Sequence, residues 1–248
     1  MNSTVAQDAR WGIWGTVIWS AVVMIAFVLI QALFFALYVA VSGTHANAHD
    51  LQQEMRRLQN DGDVIAIATL LTTLLCLPMV VGIVKLKRGS RLADYLPIAV
   101  PPGRMLGRWL LYTALFILAS DTLSLLTGNP VVPEFVKRAY VSSDVKPVLW
   151  LALVLAAPLF EETLFRGFMI SGFLPTRLGA SGAVLLTALA WAIIHIQYGW
   201  YGIATIFVFG LLLGTARIRS GSLAMPYLIH AAANAFAALE AAVSTLNM

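Results

Sequence analysis

The 248 residues are 60% hydrophobic and only 11% charged, with a mean hydropathy of +0.83. A soluble domain carries about 25% charged residues, so a water-soluble globular protein is excluded, and the length suits one integral domain. The net charge of +4 does not point to nucleic acid, because the basic residues fall in short loops between apolar runs, where membrane topology accounts for them.

Seven apolar segments predict seven transmembrane helices, at roughly 14–41, 64–84, 106–126, 147–170, 181–197, 201–216 and 222–243. Backbone groups in lipid must be satisfied internally, and these runs are too long for barrel strands. The expected fold class is therefore all-α: a polytopic membrane helical bundle. The first run is too long for a signal peptide, and the Ala46-Asn47-Ala48 triplet lies beyond its end, so it is expected to be retained. The loop that follows carries His45 and His49 at i,i+4 spacing, which can bind zinc. Without further ligands they read as two solvated histidines.

Cys76 lies inside an apolar segment, has no internal disulfide partner and reads as a packing residue. Gln31, Thr69, Thr72 and Thr73 read as helix-packing polar residues, Asp121 as interfacial or packing, and Glu240 as reaching water. The proline-rich stretch 92–102 is expected to lie at the inner interface as a connector. With the N-terminus inside, the inner segments hold Arg10, Lys85, Lys87, Arg88, Arg91, Arg104, Arg108, Arg177, Arg217 and Arg219. The outer ones hold only Arg56, Arg57, Lys137, Arg138 and Lys146. That bias predicts a cytoplasmic N-terminus, in a membrane expected to be the bacterial plasma membrane.

The fourth run carries Glu161, Glu162 and Arg166 within WLALVLAAPLFEETLFRGFMI. An ionised carboxylate at bilayer depth costs several kcal/mol, so such residues usually face a polar cavity and have a function. Residues four apart on a helix share a face, so Glu162 and Arg166 are expected to pair. Glu161 then points about 100° away, without a sequence-local partner and free to take up protons. The bland alternative is a helix end where these groups reach water.

The fifth run carries His195, one turn after Trp191. The last carries His230 and Asn234, again i,i+4, separated only by alanines, which allow close approach. Imidazole and carboxamide can donate to a developing oxyanion; the alternative is interhelical hydrogen bonding. His195 comes late in a short segment. A straight perpendicular helix would put it too far from Glu161, so this helix is expected to tilt, start later or bend.

Three motifs in this order are specific: Glu161-Glu162-Thr163-Leu164-Phe165-Arg166, Trp191-Ala192-Ile193-Ile194-His195 and His230-Ala231-Ala232-Ala233-Asn234. Together they resemble the CPBP family of intramembrane endopeptidases, also called the Abi or CAAX-protease family. The resemblance covers about 147–243, and makes 147–248 the expected catalytic core, preceded by three helices in 1–146. It implies peptide hydrolysis within the membrane. Glu161 would activate water with help from His195, His230 and Asn234 would stabilise the oxyanion, and Glu162 and Arg166 would support and orient. The family is often described as metalloproteases. Glu161, His195 and His230 could supply a zinc set, and a metal-free mechanism, slightly favoured here, uses Glu161 as base. The second motif usually begins with Phe, and Trp191 in that slot is expected to change packing around His195 rather than its chemistry. Expected partners are the bilayer and a membrane protein, a lipidated C-terminus or a leader peptide. A non-catalytic scaffold of the same fold and a proton-relay transporter are the competing readings.

Overall fold

A computed structural model of the chain describes residues 9–41 and 48–245. Among these residues there is no strand, and the helices run α1 Ile13–Val41, α2 Ala48–Leu58, α3 Gly62–Leu86, α4 Leu92–Tyr95, α5 Gly103–Thr127, α6 Glu134–Ser142, α7 Lys146–Phe173, α8 Gly179–Ile193, α9 Gly199–Ser220 and α10 Ala224–Thr245. His45 lies outside the described residues, as does the side chain of His49, and the proposed pair with them.

Six helices are long and apolar enough to cross a membrane: α1, α3, α5, α7, α9 with its preceding turn, and α10. The protein is an integral membrane protein built as an all-α bundle. The predicted fifth span, 181–197, is where the expectation of seven needs adjusting. Its helix, α8, stops at Ile193 after 15 residues, about 22 Å of helix, short of a bilayer core. The sixth, predicted short at 201–216, is instead the full-length α9.

Outward faces are apolar because lipid, not water, is the surrounding solvent. Ile18, Ile25, Leu29 and Leu33 of α1 point away from the bundle. The centre is α7, whose residues from Glu162 to Phe173 are all buried. Its Phe160, Leu164, Phe165 and Phe168 pack with Val80 and Val84 of α3, Trp191 of α8, Phe209 and Leu213 of α9 and Ile229 of α10. Glu161 and Glu162 are therefore not at a helix end, and the reading in which they reach water there falls away.

Two stretches of α7, Leu151–Ala156 and Glu162–Met169, are π-helical, on either side of Glu161. Such wide turns in α-helices often mark functional sites. The connector 92–102 folds over one end of the bundle. Ser171 donates to the carbonyl of Tyr95 at 2.9 Å, Ser222 to that of Ala99 at 2.6 Å, and the Leu223 amide to the carbonyl of Pro97 at 2.7 Å. Arg10 and Arg217 reach the same end of α7, donating to the Ser171 and Arg166 carbonyls at 3.4 and 3.2 Å. Cations there complement the negative pole of the helix.

The contact of α1 with α7 depends on Gly172. A Cβ at this position would fall 2.1 Å from Thr16 Oγ1 and 3.0 Å from Thr16 Cγ2. Thr16 is β-branched, fully buried and hydrogen-bonded to the Trp11 carbonyl at 3.0 Å, so it cannot rotate aside freely. Gly172→Ala is expected to destabilise the folded bundle by about 1–3 kcal/mol through overpacking. A lowered thermal midpoint in detergent checks this, with Gly107→Ala, whose added Cβ meets nothing within 4 Å, as the control.

Candidate active site

Glu162 is 1% exposed and Arg166 fully buried. Their i,i+4 spacing closes as predicted, with Arg166 Nη1 donating to Glu162 Oε1 at 3.0 Å. The same oxygen accepts from His230 Nδ1 of α10 at 2.8 Å. A buried ion pair is tolerated when further hydrogen bonds satisfy it. Here Arg166 Nη2 also donates to the Gly210 carbonyl of α9 at 3.3 Å, and the guanidinium lies over the Trp191 ring, 4.5 Å from its centroid. Gly210 lets α9 come this close: a Cβ there would meet Ala188 Cβ at 3.0 Å and Trp191 Cε3 at 3.2 Å. Glu162 Oε2 and Arg166 Nε are buried and have no hydrogen-bond partner among the described residues.

Glu161 is half-buried, on a different face of α7. Its Oε2 accepts the indole N–H of Trp191 at 2.6 Å, a contact across 30 residues of sequence. Beyond the packing change expected around His195, Trp191 thus also bonds Glu161, which Phe in the same slot could not do because it has no donor. The two residues meet because the helices on either side of 174–178 are matched in depth. Glu161 lies about 18 Å from the Phe173 end of α7, and Trp191 the same distance from the Gly179 end of α8.

The depth difficulty raised for His195 is resolved by the shortness of α8. His195 sits not inside a span but on the turn that follows it, between α8 and a short 3-10 stretch, Ile196–Tyr198. Gly199, at φ 68°, turns the chain into α9. His195 Nδ1 contacts the Trp191 carbonyl at 2.7 Å. A carbonyl can only accept, so Nδ1 carries the proton and Nε2 of the neutral ring keeps a lone pair. No direct hydrogen bond joins His195 to Glu161 among the described residues; Trp191 links them. The imidazoles of His195 and His230 both meet the Trp191 ring edge-on, with centroids 5.2 Å away in each case.

Asn234 shares a face with His230 but bonds elsewhere, donating through Nδ2 to the Leu153 carbonyl of α7 at 2.8 Å. The local sequence explains this need. In the π register the Ala157 amide bonds the Ala152 carbonyl, and the donor due to Leu153 would come from position 158, which is proline. The carboxamide of Asn234 fills that gap, and its second N–H remains available. Thr73 treats the neighbouring Ala156 carbonyl similarly, at 3.2 Å.

Tyr198 was not singled out from the sequence. Its ring lies 5.9 Å from that of His195 and it is within electrostatic reach of Glu161. Asp121 of α5 and Glu240 of α10, read separately from the sequence, lie within electrostatic reach of each other. Among the described residues, no three His, Cys, Asp or Glu side chains converge as a metal ion requires. Glu161, His195 and His230 surround Trp191 without forming such a group.

A polytopic helical membrane protein with a glutamate–arginine–histidine network buried on its central helix is the class that fold and site define. Residues 143–236 match the family described as type II CAAX prenyl endopeptidase Rce1-like, the CPBP family. The match takes in Glu161, Glu162, Arg166, His195, His230 and Asn234. An Escherichia coli protein described as "Uncharacterized 24.3 kDa protein" is 36% identical over 104 residues, which cover 39% of this chain and 46% of that protein. The chain thus spans about half the length of this relative. No solved structure matches the chain.

Proposed function

We propose that the protein is an intramembrane endopeptidase acting on a membrane-associated peptide, with Glu161 as the general base. One observation carries the reading: a half-buried carboxylate in an apolar helix core has one oxygen fixed by an indole whose ring packs against two imidazoles. Groups of this kind within a bundle are functional by default.

In the proposed reaction, water bound at Glu161 Oε1 gives up a proton to that oxygen as it attacks the scissile carbonyl. The lone pair on His195 Nε2 accepts the second water hydrogen and holds the nucleophile in line. His230 donates a hydrogen bond from Nδ1 to Glu162. As an imidazolium backed by that carboxylate it also donates from Nε2, and together with the second Asn234 N–H it stabilises the tetrahedral oxyanion. Collapse breaks the C–N bond, and the proton held at Glu161 passes to the leaving amine. Arg166 holds Glu162 in place for His230. The proposed substrates are a prenylated C-terminal peptide or a leader peptide. The proposed setting is the bacterial plasma membrane with the N-terminus cytoplasmic, supported by the excess of arginine and lysine at that end.

The test is cleavage by detergent-purified protein of farnesylated C-terminal peptides and leader peptides, with and without a zinc chelator. The expected result is cleavage that survives chelation and is lost in His230→Ala. Activity abolished by the chelator and restored by zinc would refute the metal-free mechanism.

A further inference from the structure

We propose that Trp191 is a positioning residue of this site, its indole N–H fixing which oxygen of Glu161 does the chemistry. The inference rests on the peptidase reading above and names a device within it. Trp191 Nε1 lies 2.6 Å from Glu161 Oε2. The carbonyl of the same residue takes the Nδ1 proton of His195 at 2.7 Å, and its ring lies under the Arg166 guanidinium at 4.5 Å. The His195 and His230 rings both pack edge-on to it. One buried residue thus meets the carboxylate and the cation through its indole and sets one imidazole tautomer through its carbonyl.

The chemistry follows from what an indole can do. It donates one hydrogen bond and accepts none. Oε2 therefore stays an acceptor throughout the cycle, and the proton taken from water must reside on Oε1. That is the oxygen from which the leaving amine can be protonated. A charge-assisted bond of this length also stops the carboxylate from rotating about its terminal torsion, which is otherwise soft. Phenylalanine fills the same space with neither effect, so a relative with Phe in this slot must fix its glutamate by other means.

Two readouts test the proposal. The first is the indole N–H resonance of Trp191 in protein labelled at its tryptophans, assigned by its disappearance in Trp191→Phe. It is expected to move upfield in Glu161→Ala; a resonance that stays in place overturns the proposal. The second is turnover of a farnesylated C-terminal peptide by Trp191→Phe and by protein carrying benzothienylalanine at position 191. That isostere keeps the shape of indole and replaces its N–H by sulfur. Both are expected to lose about tenfold in kcat with KM within about twofold. Full activity in the isostere, whether or not Trp191→Phe is impaired, assigns the contact to packing and overturns the positioning role alone, provided Glu161→Ala is inactive. A wild-type protein that cleaves no peptide overturns the peptidase reading and the proposal with it.

Discussion

Glu161→Gln is expected to lower kcat for peptide cleavage by about 10²–10⁴-fold, the range that general acid–base catalysis supplies. The protein should otherwise remain intact. Glutamine preserves the size of the side chain and still offers an oxygen to the Trp191 indole, whose bond to Oε2 is the contact that holds Glu161. Thermal midpoint and yield should stay near wild type while turnover falls. Equal loss of folded protein and of activity would instead make Glu161 a structural residue, since the chemical and structural roles separate in this variant.

Arg166→Met is expected to do the reverse, removing the fold before the chemistry. Arg166 is fully buried and its partner Glu162 is 1% exposed, so the single change strands a carboxylate in the bundle core. Removing one partner of a buried pair costs about 3–5 kcal/mol, whereas replacing both with apolar groups of similar volume is often near neutral. Thermal unfolding in detergent should therefore show a large loss for Arg166→Met and recovery of at least half of it in Glu162→Leu/Arg166→Met. The double variant should still be inactive, because His230 loses the carboxylate that accepts its Nδ1–H hydrogen bond. A single variant as stable as wild type would contradict the role assigned to the pair.

Much of this arrangement was legible in the sequence, and the exceptions have definite causes. Local spacing was enough for Glu162 and Arg166, because both lie on one helix and four residues return to the same face. It was not enough for His230 and Asn234. They do share a face, but each bonds α7 at a different place, Glu162 and the Leu153 carbonyl. The second of these had a readable signal in Pro158, which withholds an amide from the turn before it. What the sequence did not carry is the π register of Leu151–Ala156, since no periodicity of apolar residues marks it. The bond between Glu161 and Trp191 depends on the depth match of α7 and α8, which follows from where α8 begins and ends rather than from any motif. The count of spans needs adjusting at α8 for a related reason. Its apolar run continues through Ile196, but the helix ends at Ile193 and the chain turns back through Gly199. The three motifs identified the family region. The role of Trp191 emerged only once four side chains from two helices and a turn were placed around it.

The most direct test of the central claim is a mass measurement. Purified protein is reconstituted in liposomes with a farnesylated C-terminal peptide, and the products are weighed for the wild type and for Glu161→Gln. Two complementary fragments, together one water heavier than the substrate, are expected with the wild type, and intact peptide with the variant. Fragments formed equally by both proteins would contradict the assignment of Glu161 as the base.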